Sequence, residues 1–173
     1  SPSGSVSPSE SASPSSSISR SASPSAGLTT VFNDLVRFFV KASDGNTYGF
    51  GSSGYIYRRN SDGAWYQVAH MTTGAIKGAE EKPSDTGKTW LYWATNNHLY
   101  RKELPGNSSW NDIQTVATNL TSDDWHTMKL VSEQFLIANG SKIAMVGYDD
   151  SYTDEALNLV PGNLAKTIVE RNG

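Results

Sequence analysis

From Leu28 onward the chain is a succession of short apolar runs, rich in aromatic and β-branched residues, broken by Gly, Asn, Asp and Ser. Runs such as FFVKAS, TWLYWA and KIAMVGY are of strand length, and the polar clusters between them have turn composition. An all-β fold follows. The first 27 residues carry no such pattern: 14 are Ser and four are Pro, and the only larger aliphatics are Val6 and Ile18. A segment of that composition cannot bury enough apolar surface to offset the entropy of ordering it.

The strand runs repeat. Setting YGFGSSGYIYRR (48–59) over LYWATNNHLYRK (91–102) gives an ungapped match at an offset of 43, with Phe50 on Trp93, Ile56 on Leu99, Tyr57 on Tyr100 and Arg58 on Arg101. A third copy, FLIANGSKIAMV, puts Ala138 on Ala94 and Ile143 on Leu99 at an offset of 44. Each copy reads as a leading strand (FFVKAS, AIKGAEE, TMKLVS), a second and third joined by a tight polar turn, and a looser fourth (WYQVAHM, DIQTVATN, ALNLVPG). Four antiparallel strands at this period are the pattern of a propeller blade. The expectation is a β-propeller-like region over 28–173, with repeats at about 35–71, 75–118 and 126–162. The stretch AKTIVERNG would begin a fourth repeat at 164–173. A single β-sandwich is the alternative, because seven to nine strands would also fill the length. Propellers close with four to eight blades, so about three blades point to part of a larger propeller. Either the polypeptide continues beyond Gly173, which is the preferred expectation, or blades from other chains complete it.

The Ser/Pro-rich arm (1–27) has its own repeat: SPSGSV, SPSESA, SPSSSI, with serine at every odd position from Ser1 to Ser25. Pro2, Pro8 and Pro14 favour extended or polyproline II geometry. Fully extended, the arm would reach roughly 90 Å. It suits a spacer, a tether docking on a neighbouring subunit, or a carrier of O-linked sugars at Ser3, Ser5, Ser7, Ser9, Ser11, Ser13 and Ser15.

Charge and composition narrow the partners. The net charge is −3, and the 14 Lys and Arg are scattered singly, which disfavours nucleic acid. There is no cysteine, hence no disulfide or thiolate chemistry, and no apolar run long enough for a helical membrane span. No charged-then-apolar leader opens the sequence, which leaves secretion open.

Candidate chemistry is sparse. His70, His98 and His126 fall at different places in the repeat, so no metal site is expected. YDDSYTDE brings Asp149, Asp150, Asp154 and Glu155 into one stretch, but without the central glycine and acid spacing of a calcium loop, and it reads as a solvated loop. NSDGAW (60–65) is similar to the Asp-box of sialidases, lacks that box's spacer residue, and reads as a structural turn with Trp65 packed beneath it. Arg58 and Arg101 are repeat equivalents, which argues for a structural or rim role. Sequons stand at Asn107, Asn119 and Asn139. No paired carboxylates specify glycoside cleavage; no catalytic residue and no cofactor is expected. Trp65, Trp93, Trp110 and Trp125 are expected mostly between sheets.

The phrases LYWATNNHLYRKELPG, NLTSDDWHTMK, LIANGSKIAMVGYDDSYT and ALNLVPGN resemble those of phage minor structural (virion) proteins, in which a Ser/Pro repeat precedes a propeller-like region. The stretch IYRRNSDGAWYQV is separately similar to tectonin-type lectin propellers. The first resemblance implies a non-enzymatic, extracellular, virion-attached structural protein that self-associates with other virion or filament subunits through its arm. Two alternatives stand beside it. One is a glycan-coated extracellular fibril subunit; the other is a carbohydrate-binding propeller for cell-surface glycans, with Tyr57 and Tyr100 stacking on sugars.

Overall fold

The computed structural model describes residue 32 and residues 34–106, 109–120, 127–138 and 142–158. The Ser/Pro arm and the expected fourth repeat (164–173) lie outside the described residues. The described chain is all-β apart from one 3-10 turn (Trp110–Asp112). Its twelve strands form three four-stranded antiparallel sheets, each an up-and-down meander of consecutive strands. The first sheet comprises β1 (Val36–Lys41), β2 (Thr47–Gly51), β3 (Tyr55–Arg59) and β4 (Trp65–His70). The second comprises β5 (Gly78–Pro83), β6 (Thr89–Ala94), β7 (Leu99–Leu104) and β8 (Gln114–Ala117). The third comprises β9 (Thr127–Val131), β10 (Gln134–Ala138), β11 (Lys142–Val146) and β12 (Tyr152–Asn158).

Turn chemistry explains the hairpins. Ser-Asp-Gly occurs at 43–45 and at 61–63, and in both the aspartate accepts from an amide two residues on: Asp44 from Asn46 N at 3.0 Å, Asp62 from Ala64 N at 2.9 Å. Gly45 (φ 85°) and Gly63 (φ 84°) then take the left-handed conformation that closes the turn. NSDGAW is thus a structural turn.

The middle sheet is covered on both faces, and β6 shows why TWLYWA is apolar without interruption. Leu91 and Trp93 point to the first sheet and share a core with Tyr48, Phe50 and Ile56. Trp90, Tyr92 and Ala94 point the other way and join Met128, Phe135, Ile137 and Ala144 of the third sheet. The leading strands β1, β5 and β9 lie beside one another in succession, so the sheets diverge from their first strands.

The structure corrects the repeat alignment. Phe50 and Trp93, superposed by the 43-residue offset, face each other across the first core with ring centroids 6.3 Å apart. Because side chains alternate with period two, an odd shift exchanges the faces of a strand. Facing is preserved when β2 is carried onto β6 by 44 residues, Tyr48 onto Tyr92 and Phe50 onto Ala94, while β3 goes onto β7 by 43. The odd residue sits in the hairpin. Residues 51–55 separate the paired Phe50 and Ile56, and only 95–98 separate the paired Ala94 and Leu99. From second to third sheet an offset of 44 holds throughout, Ala94–Leu99 matching Ala138–Ile143.

Candidate functional site

Several bonded polar side chains of the described residues meet where one sheet joins the next, at a corner built the same way twice. The corner combines a tyrosine on the second strand, an arginine on the third, and the loop between third and fourth strands of the following sheet. At the first junction these are Tyr48, Arg58 and Gly106; at the second, Tyr92, Arg101 and Asp150. Gly106 and Asp150 are 44 residues apart, the repeat offset.

At the first junction Arg58 donates to the Gly106 carbonyl, and the Gly106 amide donates to Asp44 at 3.0 Å. Trp110 Nε1 donates to the same Gly106 carbonyl at 3.1 Å. Asp44 also accepts from the Tyr48 hydroxyl at 2.7 Å and from the Asn46 side chain at 3.0 Å. Burial pushes the Asp44 carboxyl up, but these donors outweigh it and hold the group below its usual range. Burial and the adjacent Asp44 push the Tyr48 phenol well up, so it stays a donor. A cleft of about 310 Å³ opens here, lined by Ser43, Asp44, Thr89, Leu104 and Pro105. Its polar lining is engaged in joining the sheets, since Ser43 bonds to Glu81 across the junction through both amide and hydroxyl.

The second junction is ionic. Lys82 is fully buried, with Nζ 2.9 Å from Asp150 Oδ1. Asp150 Oδ2 accepts from Ser84 Oγ at 2.8 Å and Trp90 Nε1 at 2.9 Å, with Arg101 Nη1 3.6 Å away. The Arg101 guanidinium lies 4.1 Å from the centre of the Trp90 ring and donates through Nε to Gln114 at 2.9 Å. Asp150 sits at φ 64°, a turn geometry aspartate tolerates, and this aims its carboxylate into the junction. Desolvation raises its pKa, but the bonds from Lys82, Ser84 and Trp90 prevail and hold it below the usual carboxylate range. The Tyr92 phenol is pushed up to about 12 by burial, with Arg101 pulling the other way.

The other expected residues are placed as follows. Tyr57 and Tyr100 are only 1% and 6% exposed. Tyr100 lies between Trp93 and His98 and donates to Thr73 at 3.1 Å; Tyr57 meets the edge of Phe32 at 4.9 Å. Their burial removes the open ring faces that sugar stacking needs. Trp93 and Trp110 pack between the first two sheets. Trp65 covers Gly49 on the outer face of the first sheet, beside Phe39 and Phe32, and so does not lie between two described sheets. Trp125, His126, Asn107, Asn139 and the Ser3–Ser15 serines lie outside the described residues. His70 stacks on Tyr55 and His98 on Tyr100.

The acidic stretch corrects its reading as a solvated loop. Asp150 is an anchor, Asp154 bonds Lys142 and Tyr152, Asp149 bonds Ser151, and only Glu155 of the remainder stands exposed without such a bond described. Among the described residues no three His, Asp or Glu side chains are grouped to hold a metal ion. The equivalence of Arg58 and Arg101 was the available signal for the corners. No protein-family model and no curated protein matches the chain.

Proposed function

We propose that the chain is a structural, assembly-type protein of a phage virion or similar extracellular particle, in which propeller blades form a rigid module and the Ser/Pro arm tethers it to neighbouring subunits. The observation that carries this reading is the use of the polar groups at the two junctions. Lys82, which is buried, and the half-buried Arg58, Arg101, Asp44 and Asp150 are engaged in fastening one sheet to the next. Such an arrangement favours stiffness over turnover. Three meanders of consecutive strands, diverging from adjacent leading strands with the middle one covered on both faces, suit blades better than the two layers of a sandwich. The phrases that resemble those of virion proteins supply the setting.

The test is fractionation of the native source, with mass spectrometry of the intact protein. Peptides of the chain should sediment with extracellular particles; recovery only from the soluble cell contents overturns the reading. Excess mass removed by deglycosylation and mapped to Ser3–Ser15 would replace the tether with the glycan-coated fibril.

A further inference from the structure

The second strand of the first sheet carries glycines where the second sheet carries large or branched residues. Carrying β2 onto β6 by 44 residues places Gly49 on Trp93 and Gly51 on Thr95. The space so left is filled from outside the strand. Trp65 and Phe39 lie over Gly49, each 3.4 Å from where a Cβ would stand. Over Gly51 lies the carboxylate of Asp34, with Oδ2 only 2.1 Å from such a Cβ. Glycine at 51 is therefore what gives Asp34 its room.

Asp34 belongs to a short stretch between the Ser/Pro arm and β1 that is fastened to the first sheet in three ways. Its Oδ1 accepts from Ser52 Oγ at 2.6 Å, and its Oδ2 accepts from the Ser53 amide. The Leu35 carbonyl accepts from the Ser52 amide at 2.9 Å. Phe32 sets its ring edge-on to Tyr57 and to Trp65, with centroids 4.9 and 5.5 Å apart. The receiving turn is the hairpin that is one residue longer than its counterpart in the second sheet, and Ser52 and Ser53 both lie in it. Burial pushes the Asp34 carboxyl up, but its donors prevail and hold it below the usual carboxylate range, so they meet an anion.

These fastenings lie near the surface. Phe32 is 38% and Leu35 66% exposed and Asp34 is half-buried, whereas Phe50 and Ile56 in the adjoining ladder are fully buried. Stretches with few buried apolar contacts and outward hydrogen bonds open locally, well below the cost of global unfolding.

We propose that Phe32, Asp34 and Leu35 form a releasable strap that roots the Ser/Pro arm on the outer face of the first sheet and opens as a unit while the sheet stays folded. A load on the arm reaches Phe32 before it reaches β1, so the strap yields first and the β1–β2 ladder is spared. The strap goes beyond the structural reading above and is independent of the particle in which the chain serves.

The experiment is amide hydrogen exchange, followed by NMR, on the full chain and on Asp34→Ala, Gly51→Ala and Phe32→Ala variants. In the unmodified chain the Ser52 and Ser53 amides should exchange at least about tenfold faster than the slowest amides of the β2–β3 ladder. Asp34→Ala removes the charged acceptor, and Gly51→Ala displaces it by placing a Cβ where it lies. Each should speed exchange at both Ser52 and Ser53 by about tenfold, and Phe32→Ala by less, with the β3–β4 ladder unchanged. Exchange at the two serines no faster than in the ladder overturns the inference, because the stretch then opens only with the sheet. A response of Ser53 without Ser52 also overturns it, since the contacts then open separately and not as a unit. So does exchange at the serines that none of the variants alters. Asp34→Ala touches no ladder residue, so it decides the matter should Gly51→Ala disturb β2 itself. The structural reading fails on the fractionation and not on this exchange.

Discussion

At the first junction Arg58 ends on the carbonyl of Gly106, whereas at the equivalent corner 44 residues on Arg101 meets Asp150, which also takes bonds from Lys82, Ser84 and Trp90. The packing differs less. The first core holds Tyr48, Phe50, Trp93 and Tyr100, with Trp110 against them; the second holds Trp90, Tyr92 and Phe135 together with Ala94, Ala117 and Ala144. Aromatic side chains pack in both joints, and the charge cluster around the buried Lys82 is added in the second. A repeated backbone corner therefore fixes where two sheets meet without fixing which force holds them.

The sharpest way to break the comparison is Asp150→Asn, which keeps the shape and the left-handed turn but removes the charge facing a fully buried Lys82. An uncompensated buried charge costs about 3–5 kcal/mol, so the urea midpoint should fall steeply. Adding Lys82→Met should recover most of that loss, since the lone ammonium is then gone. If the double variant is no more stable than the single one, hydrogen bonds to Ser84 and Trp90 and not the ion pair carry the joint.

Acid should weaken both joints. The folded pKa of Asp150 is held below its unfolded value near 3.8, so its contribution is complete above that value and is lost as pH falls through the folded pKa. Asp44 follows the same sign at the first junction. Stability measured by urea unfolding between about pH 5 and pH 2 should decline in the native chain and decline less in Asp150→Asn. An unchanged acid slope would remove Asp150 from the account.

A smaller difference separates the arginines. Arg101→Ala forfeits the stacking on Trp90 and the attraction to Asp150, while Arg58→Ala forfeits bonds to neutral acceptors, the Gly106 carbonyl and the Asn60 side chain. The Arg101 variant should be the less stable by about 1 kcal/mol in thermal or urea unfolding. Equal losses would mean that the stacking and the charge add nothing to the corner.

Strand period and turn residues were enough to read three sheets of four consecutive strands, because alternation and Ser-Asp-Gly are local signals. The one-residue shift between β2 and β6 was not readable, since an ungapped match of twelve residues looks better than the gapped one that preserves facing. Tyr57 and Tyr100 were aligned correctly, yet nothing local distinguishes an aromatic that caps a strand from one enclosed by Phe32 or by Trp93 and His98. The role of Asp150 was hidden for a related reason. Its partners are 49 to 68 residues away in sequence, and only the fold brings Lys82, Ser84, Trp90 and Arg101 to one carboxylate.

The smallest effect tests whether the third sheet is held by its joint or by its own hairpins. Val131 pairs with Gln134 across a two-residue turn, so Ser132 and Glu133 both take positive φ, 46° and 67°. That is the geometry in which Asn-Gly is preferred, because glycine has no Cβ to oppose it and asparagine tolerates it. Ser132→Asn with Glu133→Gly should raise stability by about 1 kcal/mol, read as a higher urea midpoint with an unchanged slope. In the Asp150→Asn background the same exchange should add the same increment, since no described bond links the Ser132–Glu133 turn to the charge cluster around Asp150. A gain that shrinks when the joint is weakened would mean that the third sheet folds only against the second, and that the hairpin has no independent stability to improve.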